Sequence, residues 1–144
     1  MKKIITLALL SLFIGFQTLA FGESSQPIGN YIVHYNALST ETLPPTVAKA
    51  YGITRSKHKG LLNISVLKKG EGFQGVEADI NVSATNLTGQ LRNIELRKIV
   101  EQNAVYYISE FSVSDRETLD FSIQVKTADN QTGNIKLRQQ FFTN

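Results

Sequence analysis

Between Val76 and Thr85 the chain alternates without a break: Val76, Ala78, Ile80, Val82 and Ala84 interleave with Glu77, Asp79, Asn81, Ser83 and Thr85. A period of two places the first set on one face of a β-strand and the second on the other, so this segment has one side in a core and one in water. The same period recurs. Tyr31, Val33, Tyr35 and Ala37 alternate with Ile32, His34 and Asn36 in a first strand over about 28–37. Leu62, Ile64 and Val66 mark a second from Gly60, ended by Gly70-Glu71-Gly72.

The alternating segment is the third strand, turned by Asn86-Leu87-Thr88-Gly89-Gln90, where Gly89 takes a positive φ and Asn86 bonds its own backbone two residues on. A fourth starts near Leu91 and points Ile94 and Leu96 inward; the apolar phase then jumps to Ile99, which implies a bulge near Lys98. Gln102-Asn103 turns it. Val105, Tyr107 and Phe111, against Tyr106, Ile108 and Glu110, give a strand apolar on both faces, hence a central one. Leu119, Phe121, Ile123 and Val125 form the sixth, Ala128 to Gly133 a hairpin loop, and Ile135, Leu137 and Phe141 the last.

One segment departs from this pattern. Pro44-Pro45 at the front, helix formers through Tyr51 and a stop at Gly52 predict one short helix near 44–51. The whole reads as all-β: an antiparallel immunoglobulin-like β-sandwich of about seven strands. It lacks the cysteine pair and core tryptophan of antibody domains, which a sandwich does not require. A small outer-membrane barrel competes, but wants an even strand count, about 10 residues per strand and aromatic girdles. Glu23 to Gln26 before Pro27 reads as a short tether, and the last strand leaves Thr143-Asn144 free.

Lys2 and Lys3, the apolar run Ile4 to Leu19 and the small residues Ala20 and Gly22 predict a cleavable signal peptide over 1–22. The run is shorter than the roughly 20 residues of a membrane span, and Gly15, Gln17 and Thr18 interrupt its end. Cleavage fits after Ala20 or after Gly22, the second leaving Glu23-Ser24-Ser25 as the start. A single domain over 23–144 follows, of a size that builds a core without disulfides. With no cysteine there is also no thiol for a lipid anchor. Removing Lys2 and Lys3 from 15 basic side chains leaves 13 against 12 acidic ones, spread along the chain, which argues against nucleic acid. Four glycosylation-type sequons, at Asn63, Asn81, Asn86 and Asn130, read as chance in polar strands and turns. The expected location is the periplasm, soluble, with no membrane span after cleavage.

Five strings carry a family resemblance: Tyr31 to Ala37, Val47 to Ser56, Leu62 to Val66, Thr85 to Arg92 and Tyr106 to Phe111. Together, and in this order from about Ile28 to Phe142, they resemble the proteobacterial domain of unknown function 4426 family. The resemblance implies an exported β-sandwich protein of Gram-negative bacteria, with no assigned activity and no catalytic residues to carry over.

Catalytic chemistry finds little footing. A cysteine nucleophile is excluded, there is no Gly-x-Ser-x-Gly elbow, and only His34 and His58 offer a base near neutral pH, so no enzyme is expected. A zinc site on those histidines lacks a further ligand at a suitable spacing, so neither metal nor cofactor is expected. His34 reads as a half-buried residue of a strand face. In Arg55-Ser56-Lys57-His58-Lys59, an extended backbone projects Arg55, Lys57 and Lys59 to one side, where they meet phosphate or carboxylate groups. The plainer reading is a solvated linker, with Arg55 docking the helix through backbone carbonyls. Asn86, Thr88 and Gln90, beside Arg92, are either an Asx-type turn or a recognition surface at one end of the sandwich. Tyr106-Tyr107 reads as core plus one surface ring rather than a carbohydrate platform. The expected function is a non-enzymatic binding or protein-interaction module, by strand addition or loop recognition of an envelope protein. The alternative is an anionic envelope ligand, glycan or lipid headgroup, held by 55–59.

Overall fold

The computed structural model describes residues 24–70 and 72–144; the predicted signal peptide, its cleavage site and the domain start at 23 lie outside them. Along the chain the strands are β1 (Ser24–Ile28), β2 (Tyr31–Ser39), β3 (Lys59–Gly70), β4 (Gly72–Gly75), β5 (Ala78–Asn86), β6 (Leu91–Asn93), β7 (Arg97–Glu101), β8 (Ala104–Ser112), β9 (Thr118–Thr127) and β10 (Thr132–Gln140). A 3-10 turn at Thr40–Thr42 and one helix, α1 (Pro45–Tyr51), stand between β2 and β3.

The strands form two antiparallel sheets. The first runs β1-β2-β3-β8-β7, with β4 beside the far end of β3; the second runs β10-β9-β5-β6. Period-two alternation gives each sheet an apolar face, and burying both faces against each other makes a sandwich. Val33, Leu62, Ile64, Val66, Val105 and Tyr107 from the first sheet meet Leu119, Phe121, Ile123, Val125 and Ile135 from the second. Phe111 packs edge-on against Phe141 with ring centroids 5.6 Å apart.

A second, smaller core lies on the outer face of the first sheet. Pro45 opens α1, and Gly52, at φ +65°, ends it in the left-handed conformation that suits glycine. Its Val47, Ala48 and Tyr51, with Leu43 and Ile53, cover Leu61 of β3 and Ile108 of β8. This explains why β8 is apolar on both faces: it lies between β3 and β7 and buries each side in a different core.

Three expectations need correction. Ser24–Ile28 is an edge strand rather than a tether, and Pro27 is tolerated there because β1 pairs only with β2. The phase jump between Leu96 and Ile99 is a change of sheet, not a bulge: β6 belongs to the second sheet and β7 to the first. Thr143 and Asn144 are not free, since the Thr143 N–H donates to Asp115 Oδ1 at 2.9 Å and the Asn144 amide to Asp115 Oδ2 at 2.9 Å. The strand count rises from about seven to ten through β1, β4 and this division of the fourth strand. With two separate sheets the molecule is a sandwich and not a barrel. Among the described residues no helix is long and apolar enough to cross a membrane.

Candidate functional site

Strand register gathers both sequence-predicted clusters at one end of the sandwich. Ser39 pairs with Gly60, Lys59 with Ser112, Asn86 with Leu119 and Gln140 with Thr118. The 52–58 segment, the 86–91 hairpin, the 113–117 loop and the C-terminus therefore share that end, and the His58 carbonyl accepts from Val113 N–H at 2.9 Å.

Most of the polar side chains there are engaged in the fold. Arg55 donates from Nε to the Leu43 carbonyl at 2.8 Å and from Nη2 to the Glu41 carbonyl at 2.9 Å, clamping the approach to α1. Thr40 and Ser56 reinforce that dock through a reciprocal pair of bonds at 3.1 and 2.9 Å. Asn86 Oδ1 accepts from the N–H groups of Thr88 at 3.1 Å and Gln90 at 2.9 Å, and from the Thr88 hydroxyl at 2.8 Å. Its amide donates to Gln90 Oε1 at 2.9 Å, so the three side chains build the turn. Gly89 has φ +84°, as expected. Arg92, opposite the buried Ala84, faces the interior and pairs with Glu117, whose side chain is only 9% exposed. Lys57 and His58 are exposed and Lys59 partly so.

The two histidines are far apart in the sheet. His34 faces outward from β2 opposite Ser65, whereas His58 precedes Lys59. The six residues of β3 between them span about 20 Å. Among the described residues no group of three or more His, Cys, Asp or Glu side chains could hold a metal ion. At the opposite end of the sandwich, Asp129 Oδ1 accepts from the hydroxyls of Thr127 at 2.6 Å and Tyr31 at 3.0 Å. The Thr127 hydrogen bond first, with Tyr31 adding, holds the Asp129 carboxyl below the usual carboxylate range. This network ties β2 to the β9–β10 hairpin.

A different feature was missed from sequence. β6 pairs with β5 only over Ser83 to Thr85, which leaves Ala78 to Val82 with β9 on one side and, among the described residues, no strand on the other. The inward residues record the gap. Ala84, beside β6, is 1% exposed, whereas Ala78, Ile80 and Val82 stay partly exposed although they point toward the core. Across the seam, Val100 of β7 is 57% exposed on the inner side of its strand, opposite the buried Val105. The only sequence signal is that β5 is long and the next segment leaves its phase after Asn93.

Residues 25–144 match the model of the domain of unknown function DUF4426. A crystal structure of a DUF4426 family protein from Pseudomonas aeruginosa PAO1 aligns at TM-score 0.70 and 36% identity, over 84% of this chain and 95% of that one. FetP from uropathogenic E. coli strain F11 aligns at TM-score 0.54 and 10% identity, over 83% of this chain and 93% of its own. A copper-bound variant of FetP gives TM-score 0.54 and 10% identity, over 83% and 94%. No match is found among curated proteins.

Proposed function

The chain belongs to the DUF4426 family, and from that premise we propose that it is an exported, non-enzymatic protein-interaction module of the Gram-negative periplasm. One observation carries the reading: among the described residues the Ala78–Val82 stretch of β5 has no neighbouring strand along one edge, and half-buried apolar side chains flank it. Such an edge offers main-chain hydrogen bonds for affinity and side-chain seats for specificity. Export is supported by the basic start and short apolar run of residues 2–19.

The test is photo-crosslinking in native cells with the full chain, from Asn81 beside the open edge and from Gln90 in the turn. One reproducible envelope protein captured at Asn81 and not at Gln90 is the expected result. A folded, exported protein that forms no protein adduct at Asn81 refutes the reading.

A second reading, the anionic envelope ligand, is favoured by one observation: Lys57, His58 and Lys59 lie at the loop end with side chains free of hydrogen bonds and ion pairs among the described residues. Charge-led binding to lipopolysaccharide weakens as salt rises, and replacing Lys57 and Lys59 by alanine removes it.

A further inference from the structure

We propose that the open edge of β5 takes an extended segment of a partner protein as an added strand, collinear with β6, with apolar side chains facing the seam and basic ones beside Asp79. This rests on the interaction-module reading and names the chemistry of its partner.

Backbone direction makes the first argument. Asn86 N–H donates to the Gln90 carbonyl and the Asn86 carbonyl accepts from Gly89, both on the β6 side of β5. Successive residues of a strand direct their N–H and C=O groups to alternate edges. The even-numbered groups of β5 therefore face away from β9. Ala84 is opposite Arg92 of β6, and the Ala78 N–H is met by the Tyr107 hydroxyl at 3.0 Å. Between them, Ile80 and Val82 present two N–H and two C=O groups that no described residue meets. The open stretch of five residues is about 17 Å long, the length of an ordinary strand.

Edge composition makes the second. Natural sheets guard free edges with proline or lysine. β1 carries Pro27, β7 carries Lys98, and β10 carries Lys136 and Arg138. Ala78-Asp79-Ile80-Asn81-Val82 carries neither residue type and has a single charge, Asp79, so this edge is the more lightly guarded.

Charge makes the third. On the outer face beside the opening stands Asp79, which is exposed and lies opposite Lys126 of β9 without an ion pair to it among the described residues; nearby Glu77 is held by Lys98 at 2.7 Å. The same face shows what complements such a carboxylate. On β10, Lys136 and Arg138 flank the inward Leu137, and Arg138 binds Asp120 of neighbouring β9 through two bonds at 2.6 and 2.8 Å. A strand that alternates apolar and basic residues gives Asp79 a basic neighbour on its open side, as Lys126 does on the β9 side.

The experiment follows amide hydrogen exchange of the exported protein by NMR, with a short synthetic peptide alternating valine and lysine and a second alternating valine and glutamate. The valine–lysine peptide is expected to slow exchange at Ile80 and Val82 on the order of tenfold or more. Asp79→Lys shifts the preference toward the valine–glutamate peptide by about twofold to fivefold, the range of one cross-strand charge pair. Val82→Pro removes an edge N–H without touching the β9 ladder and abolishes the protection; Asp79→Lys carries the test if that variant does not fold. Unchanged exchange at both amides with saturating peptide overturns the proposal. So does protection that develops when the protein alone is concentrated, which makes the occupant a second copy. Capture of a partner at Asn81 without protection at Ile80 and Val82 removes strand addition while the interaction-module reading stands; loss of both results removes both.

Discussion

Replacing Arg92 by alanine decides whether this residue serves the fold or a ligand. The Glu117 side chain, 9% exposed, depends on Arg92, which is itself 32% exposed. Its other oxygen accepts from Ser114 N–H at 3.4 Å, and its backbone carbonyl accepts from Phe141 N–H at 2.9 Å, so the pair anchors the 113–117 loop and the end of the chain. Removing one member of a fully buried pair costs about 3–5 kcal/mol. Water reaches a third of Arg92 and screens part of that loss, so the expected destabilisation is about 2 kcal/mol. With a urea slope of about 2 kcal/mol/M, the unfolding midpoint falls by about 1 M. Glu117→Gln added to Arg92→Ala recovers part of the loss, because a neutral amide is easier to leave without a partner. The double-mutant cycle gives a coupling of about 1–2 kcal/mol. A midpoint for Arg92→Ala within about 0.2 M of the parent, with no coupling to Glu117, refutes the reasoning and returns Arg92 to the surface as a binding residue.

At Gly60 an added Cβ lies 2.4 Å from the Phe111 ring and 3.0 Å from that of Phe141; Gly60→Ala therefore overpacks the aromatic corner and costs about 1–3 kcal/mol, read as a lower melting temperature. The depressed pKa of Asp129, caused first by Thr127, contributes stability that is complete above the unfolded carboxylate value near pH 4 and is lost as pH falls through the folded value. Urea titrations from about pH 5 down to pH 2 should show that loss, and Asp129→Asn should remove this component of the acid slope. Burial first, and then the hydrogen bond to Glu101 at 3.0 Å, push the Tyr51 phenol well above its ordinary range. The stability it contributes is complete below the unfolded phenol value near pH 10 and is lost as pH rises above it, so Tyr51→Phe should flatten the alkaline arm of the stability profile.

Strand positions were legible wherever the cause is local. The alternation in 31–37, 62–66 and 119–125 reports which side chains face a core, and the helix at 45–51 is bounded by its own Pro45 and Gly52. Even the central place of β8 could be read, because two apolar faces need two covers. Pairing is another matter. Ser24–Ile28 and Gly72–Gly75 carry no apolar alternation and become strands because β2 and β3 offer them free edges. A bulge and a change of sheet both shift the apolar phase, so the step from Ile94 to Ile99 looks identical in either case. Arg55 is similar: the carbonyls of Glu41 and Leu43 that it binds are 14 and 12 positions earlier in the chain.

The same distinction explains why the candidate site moved. Charged and polar clusters stand out in a sequence because their composition is unusual, yet Arg55, Asn86, Thr88, Gln90 and Arg92 have near-complete structural uses at the loop end. β5 drew attention as the most regular strand in the chain, and regularity is the mark of an ordinary core element. Alternation records only the direction of each side chain with respect to a sheet. Whether a neighbour lies along the edge depends on where β6 leaves, and that is set further along the chain by Ile94, which turns into the core where the chain passes to the other sheet. The unpaired groups of Ile80 and Val82 thus arise from a conflict between a long β5 and a short β6. An extended partner resolves it by completing the edge that β6 leaves open.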